Sequence, residues 1–186
     1  ALLRPFRDQL IEGVIASCRT PLGLPFNGMA LADIAPIDRL SELEFEMSLA
    51  NLSKGVLASD IGKALKVSLE TDDLLYAYAD SLSDSSFDIP LAGLLNGSID
   101  AMIRVHAEDG SPRLFITDYK TNRLDGDEDV SLIEAYAPER LVAAMEHHHY
   151  PLQALLYGTA IYRMLRWRQP SMNADEVIAG IAYFFV

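Results

Sequence analysis

Cysteine is nearly missing from this chain of 186 residues, and the single Cys18 excludes an internal disulfide and a cysteine-rich zinc site. No apolar run reaches the roughly eighteen residues of a bilayer-crossing helix. The N-terminus also lacks the basic segment and apolar stretch of a secretory signal, so a membrane span and export are both disfavoured. Basic residues are scarce as well. Fifteen Lys and Arg against 27 Asp and Glu leave a net charge of −12. That argues against a module that holds nucleic acid unaided, because such affinity comes mostly from cations that neutralise phosphates. Chemistry on DNA would need divalent cations or a larger assembly to bring the strand in. No GxxxxGK[ST] loop occurs, so these residues carry no ATPase motor. No histidine precedes His106.

What remains is ordinary for a folded domain, with 50% apolar and 23% charged residues. Leu2, Phe6, Leu10, Val14 and Cys18 recur at helical spacing as far as Thr20-Pro21, which predicts an amphipathic helix with Cys18 buried on its apolar face. A turn-rich stretch follows, to about Asp38. Between Ser41 and Leu49, Leu43, Phe45, Met47 and Leu49 alternate with Glu42, Glu44, Glu46 and Ser48, the pattern of a half-buried strand with an acidic outer face. Helices are expected over Ser59 to Leu69 and Asp72 to Leu82, and a polar stretch from Ser83 to Asp88.

Two β-rich runs, Gly97 to Val105 and Arg113 to Tyr119, flank Glu108-Asp109-Gly110-Ser111-Pro112, a cluster of turn formers that fits an antiparallel hairpin. An acidic loop is expected from Leu124 to Asp129. Pro138 opens a helix to about His147, and Tyr150-Pro151 starts a longer one to about Arg168. Ile178 to Val186 is a continuous apolar run, as in a strand buried on both faces. The sum is one mixed α/β domain over residues 1–186.

The chemistry concentrates on the hairpin. Residues two apart on a strand share a face, so Asp118 and Lys120 project together while Tyr119 points the other way. Asp100 joins them only if the hairpin loop holds an odd number of residues. A tight two-residue Asp109-Gly110 turn would set Asp100 against Tyr119 instead, whereas a loop of three or five residues would set it against Asp118. Two aspartates with an oxygen-rich shell suit a hard cation such as Mg²⁺, which would lower the pKa of a bound water and neutralise charge on a scissile phosphate. Asp-x-Lys alone is also what a surface ion pair looks like. Yet Leu114 and Ile116 behind Asp118, and Ile99 beside Asp100, set these charges on otherwise apolar strands, where ionised groups are costly unless paired or metal-bound.

With those residues in view, the chain resembles the PD-(D/E)XK nucleases, and within them the C-terminal nuclease domain of the RecB type, the beta subunit of exodeoxyribonuclease V. Leu43-Glu44-Phe45, Gly97-Ser98-Ile99-Asp100, Asp118-Tyr119-Lys120-Thr121-Asn122 and Tyr150-Pro151-Leu152-Gln153 through Tyr157 occur in the family's order and cover most of the chain. The resemblance implies a restriction-endonuclease-like core: a mixed central sheet with an antiparallel hairpin, flanked by helices. It implies Mg²⁺ held by Asp100, Asp118 and the Tyr119 carbonyl, with Lys120 as the catalytic lysine. Gln153 and Tyr157, four apart on one helix face, would support the site or the substrate phosphate, and Glu44 matches an acidic position on the first strand. It further implies a bacterial, cytoplasmic subunit that acts on DNA with RecC-like and RecD-like partners in double-strand-break repair and recombination.

The chain also departs from the family. RecB-type domains carry a metal-ligating histidine on an upstream helix and continue past the last strand into an Arg-Gly pair, and Arg123 stands where an aromatic residue is common. These departures point to a fragment of a larger helicase-nuclease subunit. They also keep open a second function, a catalytically silent nuclease-fold module that docks partner subunits or guides DNA. His147-His148-His149 splay around a helix and cannot all face one ion. Arg163, Arg166 and Arg168 beside Trp167 form the only basic cluster, which a helix C-terminus accommodates and which DNA or a partner subunit would also accept.

Overall fold

The computed structural model describes residues 4–50, 55–84, 90–124 and 132–185. It is mixed α/β. In chain order the elements are α1 (Arg7–Arg19), β1 (Arg39–Ala50), β2 (Val56–Leu57), α2 (Ala58–Ser68), α3 (Tyr76–Leu82), β3 (Pro90–Leu91), β4 (Gly93–His106), β5 (Pro112–Lys120), α4 (Leu132–Ala135), α5 (Pro138–His147), α6 (Tyr150–Arg168), α7 (Ala174–Val177) and β6 (Ile178–Phe185). The main sheet has the order β1-β4-β5-β6, and β2 pairs with β3 in a separate two-stranded sheet. Strand β5 is antiparallel to β4 and parallel to β6. The residues fall into two compact units, one of 1–43, 98–121 and 161–186 and the other of 44–97 and 122–160.

In the first unit the hairpin of β4 and β5 is the organising element. Ile99, Ala101, Ile103 and Val105 alternate inward along β4 and are essentially buried. Their face is covered by residues of the turn-rich segment: Phe26 and Ile34 are buried against Ile103, Val105 and Phe115, with Leu22, Met29 and Leu31 packed around them. The Phe26 and Phe115 rings lie 4.3 Å apart, centre to centre. The segment therefore closes the core through three short 3-10 turns, in which the prolines Pro25 and Pro36 sit at helix starts that need no amide donor. Strand β6 is half-buried along its whole length, not enclosed on both faces as its apolar run suggested.

Helix α1 forms over Arg7–Arg19 after a 3-10 turn at Arg4–Phe6, and Leu2, where its periodicity began, lies outside the described residues; its apolar stripe faces solvent. Val14 is 62% exposed, Leu10 and Ile15 are also exposed, and Cys18 is only partly buried. Periodicity sets which face of a helix is apolar; it does not supply a neighbour to cover that face.

Strand β1, whose residues from Glu44 on belong to the second unit, alternates as expected, with Met47 buried, Leu43, Phe45 and Leu49 half-buried and the glutamates outside. Helices α2 and α3 pack through Ala58, Tyr78 and Leu82, with Ile61, Leu65 and Leu152 around them. The predicted helix at 72–82 begins only at Tyr76, after a turn in which the Asp73 carboxylate accepts the Leu75 amide. The acidic loop lies outside the described residues from 125 onward, as does the polar stretch from 85 to 88.

The contact between α2 and α3 depends on Gly62. A Cβ there would come within 2.6 Å of the Ser83 amide nitrogen and 2.7 Å of the Leu82 carbonyl carbon, both backbone atoms that cannot swing aside. Gly62→Ala is therefore expected to destabilise by about 1–3 kcal/mol. Gly13, inside α1 with nothing within 4 Å of its missing Cβ, supplies the contrast: Gly13→Ala should stabilise by about 0.5–1 kcal/mol through helix propensity. Thermal denaturation of both variants checks the pair, and equal effects would refute the close approach.

Candidate metal and phosphodiester site

The hairpin loop settles which aspartates meet. His106 pairs with Pro112, so five residues, Ala107–Ser111, separate the last strand partners. The Ala107 amide donates to the Ser111 carbonyl at 2.9 Å, and Gly110, at φ +81°, takes the left-handed conformation that closes a three-residue tip. Asp109 braces that tip. Its Oδ1 accepts from the Ser111 amide at 2.9 Å and from the Ser111 hydroxyl at 2.6 Å, and the hydroxyl bond chiefly holds its pKa below the usual carboxylate value. The loop is odd, and the register reaches Ala101 opposite Thr117. The paired register ends there; by alternation Asp100 lies on the same face as Asp118, close enough for its charge to act on that carboxylate.

Two bonds fasten this end of the hairpin. The buried Thr117 hydroxyl donates to the Ala101 carbonyl at 2.9 Å, and the Tyr119 amide donates to Asp100 Oδ2 at 2.8 Å. The second bond orients the Asp100 carboxylate from the backbone of the neighbouring strand. The Tyr119 ring turns to the opposite face and packs on Phe184 at 5.7 Å, as strand alternation requires.

Asp118 is 4% exposed and shares its face with the fully buried Ile116. Burial raises its pKa; the Lys120 ammonium pulls it back, and the neighbouring Asp100 charge adds to the rise. Lys120 Nζ lies 2.5 Å from Asp118 Oδ2, with both side chains largely buried. The same ammonium sits 5.3 Å from the ring centre of Tyr183 on β6. Tyr183 is the register partner of Asp118 across the parallel pair, which puts the ring under the lysine. Tyr183 went unnoticed in the sequence because it lies inside an apolar run; only the β5–β6 register singles it out.

The remaining candidates lie in the second unit. Gln153 Nε2 donates to the Tyr157 hydroxyl at 2.9 Å, so the two form one polar pair on a single face of α6, as their spacing predicts. The Tyr157 ring meets Phe45 edge-on at 5.9 Å. Asn122, on the run after Lys120, accepts from the Tyr150 hydroxyl at 3.2 Å, and its amide nitrogen Nδ2 is buried without a hydrogen-bond partner. Glu44 is exposed on the outer face of β1. His147, His148 and His149 are all exposed, and the His149 Nδ1 lies 3.2 Å from the Tyr78 hydroxyl; they do not converge.

Among the described residues no group of three or more His, Cys, Asp or Glu side chains is placed to hold a metal ion. An all-protein cage is therefore absent there. A pair of carboxylates on one face still suits Mg²⁺, which is typically held by one or two carboxylates and keeps several waters. A buried Asp118 with a raised pKa fits that chemistry, since a dication beside it would restore the charged form.

A mixed sheet bearing such a pair on an antiparallel hairpin, with a parallel strand alongside, is the architecture of a restriction-endonuclease-like protein. The chain is 40% identical over 184 residues to the RecBCD enzyme subunit RecB of Mycobacterium tuberculosis and 38% identical over 183 residues to that of Mycolicibacterium smegmatis, covering 96% of this chain in each case. To RecB of Escherichia coli it is 28% identical over 180 residues, covering 95% of this chain. Along nearly its whole length the chain is a homologue of part of RecB, and it spans only 13–16% of the length of those relatives. No family model matches it.

The raised pKa of Asp118 carries a sign. Its neutral form is favoured by folding, so the stabilisation is complete at acid pH, below the ordinary value of 3.8, and is lost as pH rises through the higher folded value. Asp118→Asn, which cannot ionise, should melt above the wild type at neutral pH, and the gap should close at acid pH. Adding Mg²⁺ at neutral pH should narrow the gap by raising the wild type alone. Melting curves across pH, with and without the ion, check this; a gap that does not change with pH would contradict it.

Proposed function

We propose that this chain is the nuclease part of a RecB-like subunit and hydrolyses DNA phosphodiester bonds with Mg²⁺. The observation that carries the proposal is Asp100 and Asp118 on one hairpin face, with Lys120 beside them in an ion pair to Asp118. Asp100, Asp118 and the Tyr119 carbonyl would hold the ion. When bound, it would lower the pKa of a coordinated water and neutralise charge on the scissile phosphate.

The chain's own groups do the positioning. The Tyr119 amide fixes the Asp100 carboxylate from across the hairpin. Burial keeps Asp118 from being satisfied by bulk water, which favours a cation beside it. Lys120, clamped between Asp118 and the Tyr183 ring, presents an ammonium that donates to the attacking water or to the developing oxyanion. Gln153 and Tyr157 form a bonded polar pair of their own on α6. With a net charge of −12, most of the chain repels DNA, and the cation and partners would add to what its few basic residues hold.

The homology to RecB supports a role in DNA repair and recombination. In the intact protein the chain works beside a helicase motor with RecC-like and RecD-like subunits, degrading linear DNA at double-strand breaks in the bacterial cytoplasm as an exodeoxyribonuclease V. No helix of the described residues is long and apolar enough to cross a membrane.

The test uses the full-length protein in its complex. Asp118→Ala and Lys120→Ala should each slow Mg²⁺-dependent degradation of linear DNA by about a hundredfold or more. If both variants degrade DNA at the wild-type rate, a catalytically silent module that docks partners or guides DNA takes the proposal's place.

A further inference from the structure

The last turn of α6 carries a feature that the hairpin site does not use. Trp167, the chain's only tryptophan, is 78% exposed. Arg163, Arg166 and Arg168 surround it in sequence and are exposed too. At 100° per residue Arg163, Arg166 and Trp167 share one side of the helix. The Arg168 guanidinium lies 5.4 Å from the Trp167 ring centre, and that of Arg166 lies 5.7 Å from the Tyr162 ring centre.

A solitary exposed tryptophan needs no explanation, and cations suit a helix C-terminus. The combination asks for more. The helix dipole accounts for arginines but not for an indole left in water among them. The charge is also segregated: in a chain with 27 acidic residues, no Asp or Glu occurs between Glu146 and Asp175. Arginines stacked on aromatic faces keep their N–H edges free for phosphate oxygens. Positive side chains that track a backbone, interleaved with a flat ring, are what an unpaired nucleic-acid strand requires. Duplex bases are already stacked on one another and offer an indole no face.

We infer that this turn of α6 docks single-stranded DNA, with Trp167 stacking on a base and Arg163, Arg166 and Arg168 facing the phosphates. The inference rests on the nuclease proposal for its substrate class and adds where the strand is held outside the carboxylate pair.

Because Trp167 is the sole tryptophan, its fluorescence reports on the site directly. The 186-residue chain is titrated with a short oligothymidylate in chelator at low salt. Saturable quenching is expected, weakening steeply as salt is raised. Arg163→Ala and Arg166→Ala should each weaken binding about fivefold to tenfold. In anisotropy with a labelled oligonucleotide, Trp167→Ala should weaken it by about tenfold or more, and Trp167→Tyr should recover most of the loss.

Absent quenching overturns the inference, as does binding indifferent to the arginine variants. Equal quenching by inorganic polyphosphate would mean anion capture without stacking; equal binding of an acidic peptide would mean a protein partner; equal binding of an oligouridylate would remove DNA as the occupant. Each of these also overturns it. Chelator separates docking from cutting: quenching in a protein that never cleaves DNA leaves the docking site standing without the nuclease proposal, and cleavage without quenching does the reverse.

Discussion

In an antiparallel pair, whether two side chains meet is a matter of parity, because successive residues point to opposite faces and a slip of one residue turns every side chain over. The β4–β5 hairpin of this protein resolves that parity through its loop. Ala107–Ser111 separate the paired His106 and Pro112, and the left-handed Gly110 and the Asp109 brace hold the tip in that form. A loop one residue shorter would turn Asp100 toward the Tyr119 side of the sheet. The aspartates on one face, the lysine beside them and the aromatic core on the other face all follow from it.

The same register sorts the two faces chemically. One receives Phe26, Phe115 and Phe184, which pack against each other and beneath Tyr119. The other keeps Asp118 with Lys120 over Tyr183. A buried carboxylate is costly, and a single ammonium only partly offsets the cost, which is why the Asp118 pKa remains raised despite the ion pair. A protein selected for stability alone would place an apolar residue there. Asp118 and Lys120, both largely buried, therefore carry a stability cost that an apolar pair would avoid.

Much of this was legible in the residues. The alternation from Leu43 to Leu49 predicted β1 and its buried face, Pro138 marked the start of α5, and the Gln153–Tyr157 spacing predicted a shared helix face where a hydrogen bond is found. Other expectations failed for one reason: local periodicity says which side of an element is apolar and nothing about its neighbours. Helix α1 is amphipathic and yet leaves Val14 exposed, Cys18 is not fully buried, and β6 is only half-buried. The stretch before Asp38, legible in the sequence only as turn-rich, proved to be the cover of the hairpin core.

By itself the sequence determined the inventory: an Asp-x-Lys at the end of one strand, an aspartate on the one before it, turn formers between them, and a net acidic charge with few cations. These are properties of residue type and short spacing, which bond geometry and charge fix locally. Only the tertiary structure decided that the loop is odd and that Asp100 and Asp118 share a face. It also showed that the Tyr119 amide holds the Asp100 carboxylate, and that Tyr183 of a strand sixty-odd residues away lies under Lys120. Those facts depend on hydrogen-bond register between strands, and register is set by closure of the loop and packing of the core, which no short window of sequence contains.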